Sequence, residues 1–120
     1  MKLVRLGYWS GSDSDPWPAV EAFVDPGWDK DERERVLAHL RRGLLVRAYM
    51  GYSTCRLCGQ PNGATELTDG RYIWPEGLVH YVEAHGVRLP DRFVESIDEI
   101  QDCLEDAEVD DVWWRSIGAP

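Results

Sequence analysis

Two cysteines and two histidines near the middle of the chain constrain its fold more than any other feature. They are Cys55 and Cys58, then His80 and His85, in the order C-x2-C, 21 residues, H-x4-H. Two thiols and two imidazoles at these local spacings suit one tetrahedral zinc ion, with Zn–S near about 2.3 Å. Four donors on one ion would tie two separated segments to a single point. Zinc is therefore the expected cofactor, with Cys55, Cys58, His80 and His85 as its ligands. Gly59, directly after the second cysteine, lets the backbone fold back under the pair. The histidines are five residues apart, which on an ideal helix turns them by about 140°. The last helical turn is expected to distort or fray so that both reach one ion, and Gly86 makes such an ending easy.

Between the two pairs, Glu66-Leu67-Thr68 and Arg71-Tyr72-Ile73 flank Asp69-Gly70, a strong hairpin signal. The order is knuckle, hairpin, helix. Residues 53–88 thus resemble a treble-clef or long-linker C2H2 zinc finger, a likeness that covers about a third of the chain. It departs from ordinary DNA-reading fingers, whose Cys-to-His linker is about 12 residues. The run Cys55-Arg56-Leu57-Cys58-Gly59, with Trp74-Pro75-Glu76-Gly77-Leu78 and His80-Tyr81-Val82, also resembles the core of small uncharacterised bacterial proteins, a likeness that implies no activity.

Other chemistries fit less well. A redox CxxC opens a helix that lowers the first thiol's pKa, but Gly59, Pro61, Asn62 and Gly63 follow here. Four protein ligands leave no open position for catalysis, and HExxH is absent, since Glu83 does not follow His80 directly. A metal-dependent hydrolase or nuclease would need a base, for which His39 or Glu83 is available. The helix expected over residues 75–85 has no Lys or Arg to offer base edges, only Glu76 and Glu83. Asp13 and Asp15 do not begin a calcium loop, because the sixth and twelfth positions are Pro18 and Val24. No Walker, Rossmann or nucleophile-elbow pattern is present.

The remainder reads as one α+β domain over residues 1–120, with a small mostly antiparallel sheet, a zinc-finger-like ββα centre at residues 53–88 and three to four packed helices. A strand is expected over residues 2–8. A short helix from Asp15-Pro16 to about Val24 follows. A longer one starts at Asp29, with Glu32 at capping-box spacing, and ends at Gly43. Its core side is Val36, Leu37 and Leu40. Residues 44–50 read as a strand with Leu44, Val46, Ala48 and Met50 on one face. Trp74-Pro75 is expected to open the histidine helix. A last long helix begins at Pro90, with Phe93, Ile97, Ile100, Leu104 and Ala107 at helical spacing. Trp17, Trp28 and Trp74 are expected to pack in the core or at caps, and Cys103 to be inert and buried.

The net charge of −9 is concentrated. Residues 1–50 are balanced, residues 51–90 carry −1, and residues 91–120 carry ten acids against two bases. Such a chain is poorly suited to phosphate backbones and better suited to a basic protein partner. Residues 91–117 are thus an acidic helical segment, within which Trp113 and Trp114, rimmed by Asp110 and Asp111, are the candidate partner anchor. Three cysteines, an odd number, argue against a disulfide framework. No apolar run is long enough to span a membrane, and no secretory signal is visible, so the expected compartment is the cytoplasm. The functional expectation is a structural-zinc protein that acts as a non-enzymatic interaction module, such as an adaptor, regulator or immunity-type inhibitor. The alternatives are a metal-dependent hydrolase or nuclease and, more weakly, a nucleic-acid-binding regulator.

Overall fold

In the computed structural model, which describes residues 1–119, the elements run β1 (Val4–Arg5), α1 (Lys30–Arg41), β2 (Leu44–Ala48), β3 (Thr65–Thr68), β4 (Tyr72–Pro75), α2 (Leu78–His85), α3 (Asp91–Glu105) and α4 (Val112–Gly118). A single 3-10 turn, Val20–Phe23, precedes α1. The fold is α+β, and no described helix is long and apolar enough to cross a membrane.

The capping signals act largely as written. Asp29 accepts the Glu32 N–H at 2.9 Å and closes the first turn of α1. Glu32 does not reach back to the cap, however; its carboxylate takes the indole N–H of buried Trp28. At the Asp69-Gly70 turn, one Asp69 oxygen accepts the N–H groups of Arg71 and Tyr72, both at 2.8 Å. The other oxygen lies 2.7 Å from His39 Nε2 on α1. One aspartate thus shapes the hairpin and fastens it to the helix above.

The sheet has the order β1-β4-β3-β2. It is mixed: β1 runs parallel to β4, and the other two pairings are antiparallel. Register sets the faces. Tyr72 and Trp74 on β4 and Leu67 on β3 share one face. There they meet the helical layer: Phe93 of α3 packs edge-on against both Tyr72 and Trp74, and His39 lies 6.0 Å from Trp74. Val36, Leu37 and Leu40 of α1 and Leu78, Tyr81 and Val82 of α2 complete this core. The opposite face carries Arg5, Glu66 and Ile73.

Several expectations are corrected. Residues 15–24 form no helix beyond the 3-10 turn. Pro18 disfavours the helical conformation at Trp17, and Asp15 spends its carboxylate on the N–H groups of Gly11, Ser12 and Trp17, closing a loop. The first strand shrinks to Val4–Arg5. Trp74-Pro75 belongs to β4 rather than opening α2. The Glu76 N–H bonds Thr65 O at 2.9 Å and its side chain accepts from Ala64 and Thr65, so the chain stays on the sheet one residue longer. Trp17 is 39% exposed, while Trp28 and Trp74 are buried.

The largest departures lie at two places. Every residue of β2 is exposed, a bulge interrupts it between Leu45 and Arg47, and no face of it is buried. Beyond Ile100 the chain leaves the core. Cys103 and Leu104 are exposed, Ala107 falls past the end of α3, and α4 has no buried residue. Only α1 to α3 pack. The radius of gyration is 17.6 Å, with a longest extent of 64 Å; a compact chain of this length would have about 13.6 Å.

Burial pushes the Asp69 carboxyl up, but the bonds from His39, Tyr72 and Arg71 outweigh it, and its pKa lies below the usual 3.8. A lowered carboxyl pKa adds stability above the unfolded value, and that stability is lost as pH falls through the folded one. Asp69→Ala should therefore cost about 2 kcal/mol at pH 7. The gap from wild type should narrow only below about pH 3.8, as read by denaturant titration at several pH values.

Candidate metal centre

Residues 53–63 close on themselves before they meet the rest of the protein. The Ser53 N–H bonds Gly63 O, the Asn62 N–H bonds Ser53 O and the Cys55 N–H bonds Gln60 O, all within 2.9 Å. Inside this small loop the Gly59 N–H turns back to Cys55 O at 2.9 Å, with Gly59 at φ +74°. That turn presents both sulfurs on the same side. Cys55 is buried and Cys58 exposed.

The histidines come from α2, which is helical through His85 and ends at Gly86 in the left-handed conformation, φ +62°. The backbone is not frayed before His85. The two rings nevertheless approach to 5.1 Å between centroids, nearly perpendicular. Reach at the helix end, rather than distortion, overcomes the 140° offset.

Two contacts join loop and helix. The Arg56 N–H donates to the Tyr81 hydroxyl at 2.8 Å. Burial pushes the Tyr81 phenol above its ordinary pKa, so it stays a neutral acceptor. The second contact is tighter. A Cβ on Gly77, at the start of α2, would lie 2.2 to 2.4 Å from Asn62 atoms, its carbonyl oxygen among them. Only glycine lets the loop approach the helix this closely.

The result brings all four sequence-predicted ligands together. One donor atom from each of Cys55, Cys58, His80 and His85 lies within 4.8 Å of the others. Cys58 Sγ and His80 Nε2 are 3.3 Å apart, near the tetrahedral S···N edge of about 3.6 Å expected from metal–ligand distances. His85 Nε2 is buried and has no hydrogen-bond partner. Buried polar atoms seldom go unpaired, and a metal ion would give this nitrogen its partner. The residues present therefore fit a metal ion, and two thiolates would balance a divalent charge. His39 is not part of the cluster; it is held by Asp69.

The candidate partner residues stand elsewhere. Trp113 and Trp114 are 72% and 70% exposed, and Asp110 and Asp111 are exposed beside them. Asp111 pairs with Arg115 one turn on, at 3.7 Å.

A second concave feature escaped the sequence reading. A cavity of about 500 Å³ opens beside the cysteine loop, lined by Arg5, Tyr8, Trp17, Tyr49, Arg56 and Glu66, among others. Glu66 is only 2% exposed and accepts hydrogen bonds from the hydroxyls of Tyr8 and Tyr49. Arg5 lies 3.6 Å from it and stacks over Tyr8 and Trp17. Alternation in Thr65–Thr68 places Glu66 opposite Leu67, but nothing local says which loops roof that face. No family model, no curated protein and no solved structure matches the chain.

Gly77→Ala leaves all four donors in place and changes no residue of the α2 helix itself. It should nevertheless weaken metal affinity roughly tenfold or more, because its Cβ pushes α2 off the loop. Competition against a metallochromic chelator would measure this.

Proposed function

We propose that this chain is a zinc-stabilised, non-enzymatic protein-interaction module. The cysteine loop and α2 form a zinc-finger-like centre, and the acidic segment beyond Ile100 takes a basic protein surface. One observation carries this reading. From Gln101 to Ala119 every residue is exposed, yet the segment displays Leu104, Val109, Val112, Trp113, Trp114 and Ile117. Apolar surface on this scale, rimmed by acids, is the composition of a binding surface rather than of a solvated tail. A seven-residue helix such as α4 is not stable in water by itself, so a partner that covers it contributes to its order.

Zinc, more than another metal, suits two thiolates with two imidazoles. Bound by four protein donors it acts as a cross-link and leaves no position for water. The alternative, a metal-dependent hydrolase or nuclease, has less support: of the bases it would call on, His39 lies outside the cluster, bonded to Asp69 and packed against Trp74 and Phe93, and Glu83 is paired with Arg41. Three free cysteines suit a reducing compartment such as the cytoplasm.

Purified protein should contain one zinc per chain by elemental mass spectrometry. Its removal by chelator, or Cys58→Ser, should lower Tm by roughly 20 °C or more, or abolish cooperative unfolding. A Cys58→Ser protein that keeps both its zinc and its Tm would point instead to an open, reactive site. A zinc-free wild type of full stability would sink the proposal.

A further inference from the structure

The protein displays two uncovered surfaces, and they complement each other. The first is the arm of residues 98–119, apolar and strongly acidic. The second is a strip formed by β2 and the residues after it. β2 is an edge strand, hydrogen-bonded on one side only. Leu44, Leu45, Tyr49, Met50 and Tyr52 along the strip are all more than half exposed. Residues 41–52 contain three arginines and no acid. Natural proteins seldom leave such an edge open; they cover it with a helix or a loop.

The strip leads into the cavity, since Tyr49, Met50 and Tyr52 are part of its wall. The cavity's charges decide what it can receive. The Glu66 carboxylate is taken up by two tyrosines and Arg5. The Asp15 carboxylate is taken up by three backbone N–H groups. Among the described residues, Arg56 at the cavity and Arg47 on the strip have no carboxylate partner. What remains is a set of aromatic walls with unspent positive charge. The matching ligand is a flat apolar ring beside a carboxylate, the chemistry of Trp113 and Trp114 with Asp110 and Asp111.

We propose that the occupant is a second copy of this chain: the arm of each protomer lies along β2 of the other, and its tryptophans enter the cavity beside the other's cysteine loop. Reciprocal exchange uses both surfaces twice and closes as a two-fold dimer. It joins an arm of net charge −7 to the chain's own basic strip. The arm, with its counterpart strip, supplies the roughly 20–30 residues a side that a stable interface needs. This inference rests on the reading of the arm as a binding surface and names its partner.

Sedimentation of the zinc-loaded full chain over a concentration series tests it. The expected mass is twice the 13.7 kDa of one chain, with dissociation at least roughly tenfold easier at 1 M salt than at 0.1 M. An arm variant, W113A/W114A, and a strip variant, R47E/R56E, should each be monomeric where wild type is dimeric. Mixed together they should form a one-armed heterodimer, because each retains the half the other lacks. All these positions are exposed, so folding should survive, as checked by circular dichroism. Three results overturn the proposal, each differently. A wild-type monomer at every concentration, whose emission minus that of W113A/W114A is that of solvent-exposed tryptophan, removes the second copy but leaves the arm free for another partner. A monomer in which the same difference spectrum is that of buried tryptophan removes both, because the arm then covers its own strip. A wild-type dimer unaffected by either variant places the interface elsewhere.

Discussion

Where the loop carrying Cys55 and Cys58 meets the start of α2, Asn62 and Gly77 touch so closely that no side chain fits between them. The candidate metal cluster depends on that contact. The loop holds its two sulfurs through its own backbone bonds, and α2 holds its two imidazoles through helical geometry. Neither half places the other. The Asn62–Gly77 packing and the Arg56–Tyr81 hydrogen bond bring the halves into range, and Glu76 secures the chain leading into α2 by bonding back to Ala64 and Thr65. Among the described residues, His85 Nε2 is the buried, unpaired nitrogen that lies in this cluster, and a metal ion would give it a partner.

The molecule divides its hydrophobic residues between two purposes. Trp74, Phe93, Leu40, Leu78 and Val82 are sealed between the sheet and three helices. Many large apolar side chains lie exposed, and most of them fall in two groups: one runs along β2 and the residues after it, and the other follows Ile100. Charge is divided in the same way. The body is close to neutral, the arm is strongly acidic, and the strip after α1 holds arginine without acid. A small core of this kind leaves little stability to spare. A metal bound by the Cys55, Cys58, His80 and His85 cluster would add a cross-link inside it.

Much of the candidate site was legible in the residues. The donor types and spacings singled out Cys55, Cys58, His80 and His85, and Asp69-Gly70 marked the hairpin between them. Asp29 and Gly86 marked helix ends, because caps act through bonds within a few residues. The errors fell where distant groups compete. Asp15 looked like a helix cap and closed a loop; Pro75 looked like a helix start and stayed on the sheet, held by Glu76 and Thr65. Cys103 and Leu104 continued a helical stripe, but a stripe shows only that one side of a helix is apolar. It does not show that anything lies against it.

The sequence by itself determined the local chemistry: which atoms can bind a metal, where helices start and stop, and where charge gathers. These depend on neighbours in the chain, at distances set by covalent geometry. The tertiary structure alone decided which surfaces are covered. Nothing in Leu44 to Ala48 says that the strand sits at an edge, and nothing in Glu66 says that two tyrosines and an arginine enclose it. Burial is a property of what packs from elsewhere, so β2, the arm and the aromatic cavity could be recognised only once the chain was folded.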